Sequence, residues 1–287
     1  LGGVLNIALD PFFVLPFGLN MNIKGAAIAT LISNVVTTLY FAILLIVIRK
    51  KSVVSFSPKK ACLAIKEKIA RNVLFTGLPS ALQTMLSAVS NLVLNSLMIG
   101  YGETAEAAIG VTKKIDAVPF GMVTGLAQGA APLIAYNNGA KKYDKMKTTL
   151  KLSLCYCVGL AITVLIVVES AAGALIEVFI KDASTVTYGE KFLRLHCASL
   201  PFMAVTFMLV SYFQAVSAKG KAFLLSIIRK GIVDIPLMYL LNVLIPVYGI
   251  VACQPITDVI SATVGVILYV LWKKKFQKTE EEQEINV

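Results

Sequence analysis

Residues 25–48 read GAAIATLISNVVTTLYFAILLIVI, a run of 24 residues without a single Asp, Glu, Lys, Arg or His. A helix needs roughly 20 apolar residues to cross a bilayer core about 30 Å thick, so this run is long enough alone. Two segments, 1–22 and 231–250, reach that length only if each tolerates an internal aspartate. Further stretches without Asp, Glu, Lys or Arg cover residues 72–100, 117–140, 152–168, 195–218 and 259–272. We therefore predict an all-α integral membrane protein with about eight transmembrane helices.

The composition of the 287-residue chain also indicates a membrane protein. Hydrophobic residues make up 57% of the chain and charged residues only 15%, whereas soluble domains carry about 25% charged residues. The mean hydropathy is +0.79. This apolar excess needs a solvent other than water, so we expect the lipid bilayer to surround the chain.

The distribution of Lys and Arg predicts the orientation. The formal net charge of +11 could suggest nucleic acid, but the basic residues gather in four patches, at 49–71, 141–151, 219–230 and 273–278. Each patch follows an even-numbered hydrophobic segment, so all four fall on one side of the membrane, as the positive-inside rule requires. We predict a multi-pass protein of a bacterial-type plasma membrane, with both ends cytoplasmic and no nucleic-acid partner. Arg229 and Lys230 are expected to snorkel from the cytoplasmic end of their helix.

Two aspartates mark an internal repeat. Asp10 precedes Gly25 by 15 residues, and Asp234 precedes Gly249 by the same distance. Eight residues after each glycine come a hydroxyl residue and then one with a side-chain carbonyl: Ser33-Asn34 and Thr257-Asp258. Both copies run in the same direction across the membrane, which is typical of parallel repeats in transporter folds. We predict that segments 1–48 and 231–272 contain equivalent helix pairs.

Two stretches read LNIALDPFFVLPFGLNMNIKGAAIAT at 5–30 and GLAQGAAPLIAYNNGAKKYDK at 125–145. Both resemble the multidrug and toxic compound extrusion (MATE) family of cation-coupled exporters. The residues that carry the resemblance are Asn6, Asp10-Pro11, Gly18, Gly25-Ala26-Ala27, Thr30, Gln128-Gly129, Pro132, Tyr136-Asn137 and Gly139-Ala140. These motifs recur in order over nearly the whole chain.

The resemblance implies a twelve-helix fold of two six-helix lobes related by parallel pseudo-two-fold repeats. The chain opens at Leu1 inside an apolar run, so we expect it to supply helices five to twelve of a longer protein. The implied organisation is the last two helices of the amino-terminal lobe (1–48), a cytoplasmic basic linker (49–73), a six-helix carboxy-terminal lobe (74–273) and a cytoplasmic tail (274–287). The implied activity is export of amphipathic, often cationic small molecules and drugs by alternating access, coupled to Na⁺ or H⁺, in a monomer.

An aspartate at bilayer depth costs about 2.5–3.5 kcal/mol on insertion scales, so it normally faces a cavity or a partner. Asp10 and Asn6 are four residues apart and share one helix face. Their oxygens suit Na⁺, or the carboxylate can bind a proton. The resemblance adds Thr30 as a hydroxyl ligand and a further acid on the family's first helix, which lies outside this chain. Alternatively, Asp10 is a structural hydrogen-bonding residue in the lobe core.

Other polar residues in the spans are candidates for substrate or ion contact. Lys113, Lys114 and Asp116 fall about 13 Å along a helix that starts near residue 104, where they either line a cavity or mark the outer interface. Gln128 either contacts substrate or packs between helices. Asp234 and Asp258 form a candidate second polar site. The resemblance places the family's second-site acids on the third and sixth helices of this chain, where the uncharged runs supply none.

The sequence lacks the marks of an enzyme. Its five cysteines and single histidine show no metal-ligand spacing, and no nucleophile with a neighbouring base is visible. We expect no cofactor and no metal beyond Na⁺ at Asn6 and Asp10. The main alternative function is a lipid-linked oligosaccharide flippase of related architecture, which needs a cationic cavity. Lys113 and Lys114 favour that alternative, whereas Asp10, Asp234 and Asp258 disfavour it.

Overall fold

The structure, a computed structural model, describes residues 2–15, 18, 21–48 and 69–285. The chain divides into two compact units, Leu1–Ala70 and Arg71–Val287, which we call unit 1 and unit 2. Within the described ranges the secondary structure is helical and contains no strand. Three parts of the chain lie outside the described residues: residues 49–68 of the predicted linker, which include Cys62; Pro16; and the last two residues of the predicted tail.

Unit 1 contains α1, Gly2–Val14, and α2, Asn22–Ile48, which pack against each other. Pro11 lies inside α1, and its missing N–H removes the helical hydrogen bond to the carbonyl four residues earlier. A Cβ atom at Gly25 would lie 2.5 Å from the backbone oxygen of Phe13. The absence of a side chain at this position therefore lets the start of α2 touch the end of α1.

The remaining helices are α3 (Ile69–Ile99), α4 (Glu103–Gly139), α5 (Tyr143–Glu177), α6 (Ala183–Cys197), α7 (Leu200–Ala215), α8 (Lys219–Ile227), α9 (Asp234–Leu244) and α10 (Tyr248–Ile285). A five-residue π turn, Ile228–Ile232, joins α8 to α9. The start of α4 follows Gly102, whose φ of +97° is accessible to glycine. Glu103 and Glu106 then place negative charge near the positive end of the helix dipole.

The core of unit 2 forms around α7, which packs against α4, α5, α8 and α10. Because α7 is apolar on nearly every face, burial on all sides is its stable arrangement. Met208 and Phe213 are among its fully buried residues. α6 and α7 meet at a 42° bend, and Pro201 stands in the first turn of α7. The bend places the end of α6 beside the middle of α4.

Within the described residues, five helices are long and apolar enough to cross a membrane: α2, α3, α4, α5 and the first 27 residues of α10. The bent pair α6–α7 is a sixth if it counts as one span. The two other predicted spans are the aspartate-bearing ones, which correspond to the 13-residue α1 and to the interrupted α8–α9. Large apolar side chains face outward, for example Ile43 at 60% and Ile46 at 72% exposure. Such surface is suited to lipid.

Candidate functional site

Unit 1 brings together the three residues predicted to bind the coupling cation. The Nδ2 atom of Asn6 lies 3.5 Å from Asp10 Oδ1, one turn along α1, and 3.4 Å from Thr30 Oγ1 on α2. With the amide rotated by 180°, its nitrogen donates to Asp10 Oδ2 at 3.2 Å. Asn6 and Asp10 are half-buried. In either amide orientation, α1 and α2 present an amide, a carboxylate and a hydroxyl within reach of one another.

The chemistry of this group suits a small cation. Thr30 Oγ1 donates its hydrogen to the Ala26 carbonyl at 2.9 Å, which leaves its two lone pairs as acceptors, one for the Asn6 amide and one for a ligand. Among the residues that the structure describes, no Lys, Arg or His nitrogen lies within 4.0 Å of the Asp10 carboxylate. An intramembrane carboxylate without a cationic side chain beside it favours binding of Na⁺ or a proton.

A cavity of about 260 Å³ in unit 2 contains the charged candidates of α4. Lys113 and Asp116 both line it, whereas the adjacent Lys114 is exposed and does not. Lys113 donates from Nζ to Asn91 Oδ1. The Nδ1 atom of His196, in the last turn of α6, lies 3.6 Å from Asp116 Oδ1. The structure thus brings Lys113 and Asp116 to one cavity, while their depth in the membrane and any contact with substrate stay predictions.

The expectation that Arg229 and Lys230 snorkel to the cytoplasmic surface is wrong. Both line the same cavity and are buried, with 2% and 9% exposure. They stand next to each other in the π turn Ile228–Ile232. This wider turn brings two consecutive residues to the inner side of the helix, and π turns of this kind are frequent at functional sites.

The buried cations pair with the two acids of the candidate second polar site. Arg229 donates from Nε to Asp258 Oδ1 at 2.6 Å, and the Gln254 amide donates to Asp258 Oδ2 at 2.9 Å. Lys230 donates from Nζ to Gln254 Oε1 at 2.6 Å and to Asp234 Oδ2 at 3.2 Å. Asp234 and Asp258 are thus joined in one network, in which each carboxylate already has a cationic partner.

A second, larger cavity of about 740 Å³ adjoins the charged one within unit 2. Gln83, Gln128 and Gln214 all line it, and Gln214 also donates to Ser80 Oγ at 2.8 Å. The residues common to both cavities are Ser87, Asn91 and Phe120. These shared residues place the two cavities side by side, one lined by uncharged polar side chains and the other by charged ones.

The two aspartate-bearing helix pairs share more than spacing. In unit 1, Asn6 contacts the carboxylate four residues later and Thr30, 24 residues later. In unit 2, Lys230 contacts Asp234, also four residues later, and Gln254, also 24 residues later. The glycine of each copy abuts a backbone carbonyl of the preceding helix. The repeat is visible as matching contacts inside each unit, while superposition of the helix pairs stays a prediction.

The MatE family model matches residues 79–240, which run from α3 into α9 and include the π turn. The chain belongs to the MatE family. The recognition of the MATE family is thereby confirmed; residues 125–145 lie inside the matched range, and residues 5–30 lie before it.

Curated MATE relatives include the multidrug export protein MepA of Staphylococcus saprophyticus, which is 30% identical over 279 residues. That match covers 97% of this chain and 60% of the relative. MepA of Staphylococcus aureus (strain N315) is 28% identical over 271 residues, covering 94% of this chain and 58% of the relative. The chain thus spans about 60% of the length of the curated relatives that it matches.

Solved MATE structures share the fold. An outward-facing multidrug resistance MATE family transporter matches with a TM-score of 0.84 at 24% identity, over 97% of this chain and 62% of that one. A mutant of the MATE transporter VcmN from Vibrio cholerae matches with a TM-score of 0.82 at 20% identity, over 96% of this chain and 61% of that one. The prediction of an all-α membrane fold of the MATE type is confirmed.

Proposed function

We propose that the transporter to which this chain belongs exports amphipathic, often cationic small molecules in exchange for Na⁺ or H⁺ by alternating access. Family membership and the multidrug export proteins among the relatives support the export of drugs. The exchange for a cation is supported by one observation above all, the contacts of Asn6 with Asp10 on α1 and with Thr30 on α2.

The coupling step follows from the chemistry of that contact. Asp10 supplies the negative charge, while the Asn6 amide and the Thr30 hydroxyl supply neutral oxygens to a bound cation. When Na⁺ is bound, it neutralises the carboxylate at bilayer depth and holds α1 against α2. A cation shifts a conformational equilibrium only by its difference in affinity between two states. Pro11 interrupts the hydrogen bonding of α1, and we propose that a change in the bend of this helix supplies that difference.

We propose that the substrate binds in the cavities of unit 2. Gln128 lines the larger cavity, while Lys113 and Asp116 line the charged one. Glutamine and serine side chains can hydrogen-bond many partners, and Phe120, which lines both cavities, offers an aromatic face. An apolar body with a charged or polar end fits such a lining.

The flippase alternative receives less support. Its cationic cavity has a counterpart in Lys113, Arg229 and Lys230. Arg229 and Lys230, however, each have a carboxylate oxygen within 3.2 Å, which removes most of their attraction for a polyanionic headgroup. The curated relatives also favour a drug exporter.

The membrane environment and orientation belong to the same proposal. We propose a plasma-membrane protein, monomeric, surrounded by lipid, with residues 49–71 and the tail on the cytoplasmic side. Cysteines introduced at positions 103 and 182 should react with an impermeant reagent added outside intact cells, and one at position 60 should not. Labelling at position 60 would overturn this orientation.

Replacement of Asp10 by Asn tests the function. Asp10→Asn keeps the size of the side chain and removes the charge, so gradient-driven efflux from proteoliposomes should fall at least about tenfold while insertion is kept. Asn6→Ala and Thr30→Ala should weaken cation affinity by less, since each removes one neutral ligand. Efflux is measured under an imposed Na⁺ gradient and, separately, an imposed H⁺ gradient. Undiminished transport by Asp10→Asn under both gradients would rule out the role of Asp10.

A further inference from the structure

The residue four positions before the aspartate differs between the two copies of the repeat. In unit 1 it is Asn6, a neutral amide beside Asp10. In unit 2 it is Lys230, whose Nζ atom lies 3.2 Å from Asp234 Oδ2 and 2.6 Å from Gln254 Oε1. In unit 2, an ammonium that is part of the chain therefore lies beside the Asp234 carboxylate. The equivalent group in unit 1, the Asn6 amide, is uncharged.

The surroundings of this ammonium are those of a bound monovalent cation. It contacts a carboxylate and an amide oxygen, and Ser90 Oγ donates to the same Asp234 oxygen at 2.5 Å. Asp234 is 1% exposed, and a buried carboxylate is costly without a cation beside it. Lys230 also lines the 260 Å³ cavity, which gives its position a connection to space that an ion can occupy.

We propose that unit 2 contains a second cation site, built like the Asn6–Asp10–Thr30 site, and that the side chain of Lys230 fills it. The comparison rests on the proposed function, because that proposal gives the first site its role. A tethered ammonium neutralises Asp234 as Na⁺ would, but it cannot leave. Unit 2 therefore keeps the architecture of a coupling site without exchanging an ion, and the exchange takes place in unit 1.

Two features keep free Na⁺ out of the second site. The ammonium is held on the same helix as Asp234, one turn away, and a tethered group competes at an effective concentration in the millimolar range or higher. The neighbouring Asp258 is paired with Arg229 at 2.6 Å, so it supplies no spare charge for another cation. Removal of the ammonium alone should open the site.

The first experiment removes the tethered cation in the intact transporter. In an Asp10→Asn background, which silences the first site, the melting temperature of the purified protein is compared in NaCl and in choline chloride of equal ionic strength. With Lys230 present, we expect no Na⁺-specific shift. With Lys230→Asn added, the melting temperature should rise by at least about 2 °C in saturating Na⁺.

Two variants control this measurement. Lys230→Arg keeps the charge, and Lys230→Asn combined with Asp234→Asn removes the carboxylate as well, so neither should respond to Na⁺. A folded Lys230→Asn protein that melts identically in both salts would overturn the proposal.

The reciprocal experiment remains available if Lys230→Asn fails to fold. Asn6→Lys places an ammonium four residues before Asp10 and should reduce gradient-driven efflux at least about tenfold. Asn6→Gln keeps an amide and should weaken Na⁺ affinity without abolishing transport. If Asp10→Asn abolishes coupled transport but Asn6→Lys retains it, the equivalence of the two sites is wrong and the proposed function stands. If Asp10→Asn transports normally, the proposed function itself fails.

Discussion

Arg229 donates from Nε to Asp258 Oδ1 at 2.6 Å, and the two side chains are 2% and 0% exposed. The guanidinium also lies 4.7 Å from the centre of the Phe207 ring. Removal of one partner from a buried ion pair leaves an uncompensated charge, whereas removal of both leaves none. The size of the loss in stability therefore depends on whether one residue or both are replaced.

We expect Arg229→Met to lower the free energy of unfolding by about 3–5 kcal/mol, because Asp258 stays buried and loses its cationic partner. Arg229→Met combined with Asp258→Leu should recover most of that loss. Recovery should be incomplete, since Gln254 then loses its acceptor at 2.9 Å. The measurement is chemical unfolding of the purified protein in detergent.

An exposed ion pair provides the matched control. Arg194 contacts Glu190 at 2.7 Å, but their side chains are 48% and 37% exposed. Arg194→Met should lower stability by no more than about 1 kcal/mol. A double variant at 229 and 258 that is less stable than Arg229→Met would show that the pair contributes more than mutual charge compensation.

The second prediction concerns the repeat glycines. A Cβ at Gly249 would lie 2.2 Å from the Leu241 backbone oxygen, so Gly249→Ala forces α9 and α10 apart. We expect a loss of about 1–3 kcal/mol in the free energy of unfolding. Gly159 of α5 has nothing within 4 Å of its added Cβ, so Gly159→Ala should be neutral or stabilising by up to about 1 kcal/mol. Equal melting temperatures for the two variants would contradict the close helix contact.

The sequence predicted the membrane class, the family and the unit 1 contact because those depend on local patterns. Uncharged runs identify spans wherever they lie. Asn6 and Asp10 share a helix face by their spacing alone, and the resemblance supplied Thr30. These are also the residues that the structure brings within 3.5 Å.

The buried cations of unit 2 could not be found in the same way. Lys230 follows a basic stretch, so its place in the chain favours a helix end at the cytoplasmic surface. A π turn changes the register there, and hydropathy does not reveal π turns. The four-residue spacing of Lys230 and Asp234 was the sequence signal that could have predicted their contact. His196 and Asp116 are 80 residues apart in the chain and come together because of the α6–α7 bend. No periodic pattern in the sequence predicts this contact.

The third prediction concerns Asp182, which caps α6 outside the predicted spans. Its carboxylate accepts from Thr185 N at 2.9 Å, Thr185 Oγ1 at 2.7 Å and Ser184 Oγ at 2.5 Å. These hydrogen bonds, that of Ser184 first, lower the pKa of Asp182 from 3.8 to about 2. Since the folded pKa is below the unfolded one, the cap stabilises the protein above pH about 4 and this contribution is lost as the pH falls toward about 2.

Asp182→Ala should therefore lower the melting temperature by a few degrees at pH 7, and the gap from the parent should close between pH about 4 and about 2. Asp182→Asn keeps an acceptor oxygen and should be intermediate, because neutral Asn also caps helices well. Thermal unfolding across pH 2–8 measures the gap. A gap that is unchanged at low pH would show that the ionised carboxylate is not what stabilises the start of α6.

The last prediction uses two adjacent lysines on α4 to test the substrate cavity. Lys113 lines the charged cavity and donates to Asn91, whereas Lys114 is exposed and lines neither cavity. Within the described part of unit 2, no carboxylate oxygen lies within 4.0 Å of Lys113 Nζ. Its ammonium can therefore pair with an anionic group of a bound substrate, and a hydrogen bond to a charged group contributes about 1.5–3 kcal/mol.

Lys113→Gln should weaken the apparent affinity for an aromatic zwitterion that carries a carboxylate by at least about tenfold. The affinity for a quaternary ammonium dye of similar size should stay the same or improve, because the variant removes a repelling charge from the cavity. Lys114→Gln should change the affinity for neither substrate, since the Lys114 side chain is exposed and lines neither cavity. Concentration dependence of efflux from proteoliposomes, measured with both substrates, gives the two affinities for each variant. Equal losses for the zwitterion and the dye would mean that Lys113 holds the shape of the cavity through Asn91 and does not contact substrate.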